Sequence, residues 1–139
     1  ALVLTPPQKP SEKDDGLLDL EDILGLKLDN ADWVILSACN TAAVDGSGEG
    51  LSGLVRAFFF AGARSLLVSH WSVDDRATQV LMTEVFQRYA KDKTVARSEA
   101  LRQGILALMA KAKGKTSYFA HPFAWAPFFL VGEGSVGTN

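Results

Sequence analysis

Apolar residues fall along this chain in short runs of two kinds, some unbroken and some spaced by three and four. Trp33-Val34-Ile35-Leu36-Ser37-Ala38-Cys39 is apolar on both faces and bounded by polar residues. Such a run predicts a strand of a parallel sheet covered by helices, placed here at 32–38. Leu51, Leu54, Val55, Phe58 and Phe59 recur at i, i+3, i+4 and predict a helix over 51–61. Gly62 is placed to end it as a left-handed cap residue. A second apolar run predicts a strand at 65–69. Ala77, Val80, Leu81, Val85 and Tyr89 share one face of a helix over 75–90. Leu101, Gly104, Ile105, Leu108 and Met109 do the same over 97–112. A final strand is expected at 125–131.

The remaining signals are weaker. Short strands are expected at 1–5 and 16–20, and a short helix at 20–24. Residues 6–15 are polar with three prolines and exclude regular structure. Residues 40–50 read as a loop and 113–121 as a linker. The domain is expected to span 1–132, with a loose glycine-rich tail at 133–139. Strands alternating with helices predict an α/β fold with a mostly parallel sheet flanked by helices. Three strong strands make a small sheet, and if the chain is a fragment the 32–38 strand is expected to lack a neighbour. It should pair with another part of its domain, with another copy, or with residues 1–18 of its own chain.

The chain has 139 residues, 47% of them hydrophobic, which suits one domain with a filled core. A formal charge of −2 gives no ground for nucleic-acid binding or a polybasic membrane contact. Cys39 is the single cysteine, which excludes an intrachain disulfide and suits a reducing, cytoplasmic setting. The sequence has neither a run of about 18 apolar residues nor a signal-peptide pattern. It opens on Ala1 in a strand-like run, as a fragment of something longer would.

Cys39 ends a strand, where α/β sheets carry their chemistry. A lone thiol there is a nucleophile candidate; the blander reading is a small buried hydrophobe. His70 ends the neighbouring strand and is the base candidate within the chain, set against an ordinary half-exposed strand-end histidine. His121, before Pro122, reads as structural. Trp71-Ser72-Val73-Asp74-Asp75 opens the next helix. Ser72 would cap it, with Asp75 reaching back as in a capping box. The functional alternative puts one carboxylate in a pocket for a basic group. Two adjacent carboxylates without a histidine pattern make a poor metal site, so neither metal nor cofactor is expected. Gly48, Gly50 and Gly53 spell G-x-G-x-x-G, but Gly48 comes nine positions after Cys39 and the next strand ends without an acid. Close helix packing at Gly53 is the preferred reading.

These strings together carry a resemblance. Leu36-Ser37-Ala38-Cys39-Asn40-Thr41 is similar to the cysteine motif of CHAT domains, the caspase-like modules often joined to tetratricopeptide repeats. The match runs on through Gly48-Glu49-Gly50-Leu51, Arg56-Ala57-Phe58, Ala61-Gly62-Ala63-Arg64-Ser65 and Trp71-Ser72-Val73-Asp74-Asp75. It continues in Glu99-Ala100-Leu101-Arg102 and closes in His121-Pro122-Phe123-Ala124-Trp125-Ala126-Pro127-Phe128; Asp15-Gly16-Leu17-Leu18 also fits. The resemblance implies a partial caspase-like three-layer sandwich. It also implies a cysteine endopeptidase acting on peptide or protein substrates, in the clan of caspases, separase and gingipains, with Cys39 as nucleophile. Trp71, Ser72, Asp74 and Asp75 are then candidates for the primary specificity pocket. Asp74 or Asp75 would favour a basic P1 residue. The family's dyad histidine stands in a His-Gly motif upstream, in caspases about 50 residues before the cysteine. Only 38 residues precede Cys39, and none is histidine. The chain thus resembles the C-terminal half of the domain, inactive alone. Its expected partners are the N-terminal half or another copy, and tetratricopeptide repeats in the parent protein. The competing reading is a pseudo-peptidase or interaction scaffold.

Overall fold

Every residue of Ser65–Ser69 is buried, and the fold is built around this strand. The computed structural model describes residues 1–9, 11, 15–36, 49–92 and 94–135. In chain order the elements are β1 (Leu2–Val3), β2 (Leu17–Leu18), α1 (Leu20–Gly25), β3 (Val34–Leu36), α2 (Glu49–Phe60), β4 (Ser65–Ser69), α3 (Asp75–Lys91) and α4 (Arg97–Ala110). Two 3-10 helices follow, Gly114–Ala120 and Pro122–Ala124, then β5 (Phe128–Gly132). β3, β4 and β5 form one sheet in that order. β3 runs parallel to β4, with Leu36 opposite Val68. β5 runs antiparallel to β4, with Leu67 opposite Leu130. The described sheet is therefore mixed, where a mostly parallel one was expected. β1 and β2 pair only with each other, antiparallel. Among the described residues, then, the first eighteen do not extend the sheet beyond β3.

Alternation along the strands sorts side chains to two cores. Leu67, Phe128, Leu130 and Ile35 join Leu81, Val85, Leu101 and Leu108 of α3 and α4. Leu66, Val68, Phe129 and Val34 join Ile23 of α1 and Leu54 and Phe58 of α2 on the other face. The sheet thus has helices on both sides. α3 and α4 approach closely at Gly104, where a Cβ would lie 2.6 Å from Val85 Cγ2. Gly62 has φ +100° after α2, and a side chain there would meet Asp29 at 2.6 Å. It ends the helix as read from the sequence.

Several local expectations are corrected. The 113–121 stretch is a 3-10 helix rather than a linker, anchored by buried Phe119. Its turn is braced by Thr116, whose hydroxyl lies 2.9 Å from the carbonyl of Lys111. The last strand begins at Phe128, because Pro122–Ala124 first makes a 3-10 turn and Trp125 caps it. Close packing at Gly53 is not found among the described residues, none of which a Cβ there would meet within 4 Å. Of the expected loop at 40–50, the described Glu49 and Gly50 are already helix. The described start of the expected loose tail is bonded. Ser98 N–H donates to the Gly134 carbonyl at 3.1 Å, and Arg97 reaches the carbonyl of Ser135 at 3.2 Å.

Candidate functional site

Parallel pairing brings the C-terminal ends of β3 and β4 to one edge of the sheet. Beyond β3 lies Cys39, which falls outside the described residues together with the rest of its motif, Ser37 to Thr41. Beyond β4 come the other candidates. His70 N–H donates to the Pro127 carbonyl at 3.0 Å, continuing the β4–β5 ladder past Ser69. Its exposed imidazole stacks on Phe129, with centroids 4.5 Å apart. Trp71 is partly exposed and stacks on Phe123 at 6.3 Å and 30°. Ser72 is exposed.

Asp74, not Ser72, caps α3. Its backbone is extended, at φ −75° and ψ 125°, and its carboxylate accepts from the amide of Ala77 at 2.8 Å. That is the N-cap-to-N3 geometry, which satisfies one of the helix's orphan donors. Ser72 lies two residues too far out for this bond. The same Asp74 Oδ1 accepts from the Tyr118 hydroxyl at 3.0 Å. Partial loss of solvent first, and the bond to Asp74 next, push the Tyr118 hydroxyl above the ordinary phenol range; the Arg76 charge opposes this. Asp75, the first helical residue, is exposed at the positive end of the α3 dipole. The candidates after β4 thus share one short segment, and their carboxylates differ in function. Asp74 is engaged with the helix and Tyr118, whereas Asp75 faces water.

Tyr118 and Phe123 belong to this edge but had no role in the sequence reading. Both lie more than 40 positions from Asp74 and come from the stretch read largely as linker. Only the His121-Pro122-Phe123 string hinted at them. His121 Nδ1 accepts from the Phe123 amide at 3.2 Å. No group of three or more metal-ligating side chains occurs among the described residues. None of the described helices is long and apolar enough to cross a membrane.

A family model described as the CHAT domain matches residues 1–133. The chain is similar to tetratricopeptide repeat protein 28 of Mus musculus, 30% identical over 117 residues. It is similar to the Homo sapiens protein of the same name at 29% over 117 residues. Each alignment covers 84% of this chain and 4% of the relative, so the chain spans a small fraction of the curated relatives it matches. No solved structure matches it.

Proposed function

The chain belongs to the CHAT domain family, a caspase-like, peptidase-related family, and from that membership we propose that it is the nucleophile-bearing part of a cysteine endopeptidase domain. Cys39 attacks the scissile carbonyl, and the bond cleaved follows a basic P1 residue. The observation that carries this reading is the match through Leu36-Ser37-Ala38-Cys39-Asn40-Thr41, continuous with β3, whose end lies at one sheet edge with that of β4. The two carboxylates of the P1 reading, Asp74 and Asp75, follow β4 directly.

A free thiol has a pKa of about 8.5, so only a few per cent is thiolate at pH 7. A paired imidazole raises that fraction and then protonates the leaving amine. Residues 1–38 contain no histidine. His70 continues the β4–β5 ladder through its backbone, and its ring stacks on Phe129. The proposal therefore assigns the base to a histidine upstream of Ala1. The Cys39 amide supplies one donor for the oxyanion.

The test is turnover of fluorogenic peptides carrying Arg, Lys, Asp or Leu at P1 by the full-length protein, by its Cys39→Ala variant, and by residues 1–139 alone. Arg and Lys peptides should be cleaved at least tenfold faster than the Asp peptide. The variant and the isolated chain should be inactive. Equal turnover of the acidic peptide would sink the P1 assignment, and undiminished turnover by Cys39→Ala would sink the nucleophile. Absence of any turnover would favour the scaffold reading, a pseudo-peptidase or protein-interaction module.

A further inference from the structure

We infer that the face formed by α1 and the end of α2 is a dimer interface, on which a second copy of this chain docks and seats its Phe60 over Gly53 in the groove between the two helices. The inference involves neither Cys39 nor the segment after β4, so it stands independently of the peptidase reading.

α1 turns Ile23 into the core and leaves Leu20 and Leu24, one turn apart, 47% and 48% exposed. Phe60, the last residue of α2, is 80% exposed. With Gly53, Arg56 and Ala57 these residues line a groove of about 300 Å³. A Cβ on Gly53 would meet none of the described residues within 4 Å, so the space above it is open. Leu4, Leu17 and Leu26, all exposed, border a second hollow against Glu21 and Gly25 of α1. The apolar face thus wraps this short helix. Leu4, Leu17, Leu20, Leu24, Leu26 and Phe60 together present roughly 500 Å², close to the apolar share of the about 800 Å² that each partner gives to a stable interface. Contiguous patches beyond a few hundred Å² mark interaction sites on soluble proteins.

Two features select a second copy as the occupant. The face holds both halves of a contact, the projecting ring of Phe60 and the open space over Gly53. These lie seven positions apart, about two turns, on one side of α2. A two-fold axis between them places each ring over the other copy's glycine, as an isologous contact requires. The charges are complementary under the same operation. Glu21 stands at the start of α1 and Lys27 just beyond its end, both exposed. Neither has a side-chain partner among the described residues. The two-fold runs the α1 helices antiparallel and turns Glu21 of one copy toward Lys27 of the other. Rim pairs of this kind fix register more than they add affinity.

Sedimentation equilibrium of the chain over a wide concentration range tests the inference, and a reversible dimer is expected. Phe60→Ala should raise its dissociation constant at least tenfold. Gly53→Leu, which fills the hollow, should do the same. Leu106→Ala, at an exposed leucine on α4, should leave it within twofold. Glu21→Lys and Lys27→Glu should each weaken the dimer at least threefold, and the two together should restore it. All these changes fall at exposed or open positions, and an unchanged far-ultraviolet circular dichroism spectrum verifies that each variant folds. A monomer at every concentration overturns the inference, as does a dimer indifferent to both Phe60→Ala and Gly53→Leu. A monomer that captures another segment of its own polypeptide, and loses that capture in Phe60→Ala, overturns it by giving the groove to that segment. None of these readouts needs catalysis, so failure of the peptidase reading would leave them unchanged.

Discussion

Asp74 shows how one carboxylate serves two distant parts of the chain. Its Oδ1 satisfies the amide of Ala77 and receives the hydroxyl of Tyr118. Losing an N-cap of this kind costs about 1 kcal/mol, and Tyr118 is left without its acceptor. Asp74→Ala should therefore lower unfolding stability by about 1–2 kcal/mol in urea titrations. Ser72→Ala should stay within about 0.5 kcal/mol. Equal losses at both positions would return the cap to Ser72. From sequence the two were hard to separate, because serine and aspartate are both strong caps and each stands before the same helix. What decides is the extended backbone at Asp74 and a tyrosine 44 positions away, neither of which local pattern carries. Asp19 and Asp22, which form a reciprocal capping box on α1, were missed for a simpler reason. Aspartate in place of the usual glutamate weakens that signature.

At the scale of elements, the long helices were legible because their apolar faces repeat over three turns or more. α3 and α4 begin where spacing put them, at Asp75 and Arg97. The 3-10 helices were not legible, since pieces of one or two turns have no period to detect. Glycines inside helices were legible as residues but not as contacts. Gly104 and Gly53 look alike in sequence and sit in opposite surroundings. Gly104→Ala gains up to about 1 kcal/mol of helix propensity, but its new Cβ meets Val85 Cγ2 at 2.6 Å and Leu81 Cδ1 at 3.3 Å. Overpacking of that kind costs about 1–3 kcal/mol, so a net loss of stability is expected. Gly53→Ala meets nothing within 4 Å among the described residues and should stabilise by about 0.5–1 kcal/mol. Thermal unfolding of the two variants, with shifts of opposite sign, checks both. A gain at Gly104 would mean that α3 and α4 are more loosely apposed.

Over the whole molecule, sequence pattern located the main strands and could not orient the last of them. β5 is buried on the same alternation whichever way it runs, and its antiparallel direction follows from the path of the 3-10 helices. Arg97 joins parts far apart in sequence. Its fully buried side chain reaches Asp32, just before β3, at 3.4 Å. It also reaches Glu133, just after β5, at 3.8 Å. A buried arginine at a helix start gives no sign in sequence of partners 65 and 36 positions away. In the proposed function Cys39 is the nucleophile for substrates with a basic P1 residue. That role is tested most directly by treating the full-length protein with a peptidyl arginine chloromethyl ketone and locating the adduct by mass spectrometry. One adduct is expected, on Cys39, absent in Cys39→Ala and not formed by the aspartate counterpart. An adduct elsewhere, or equal labelling by the aspartate reagent, would contradict it.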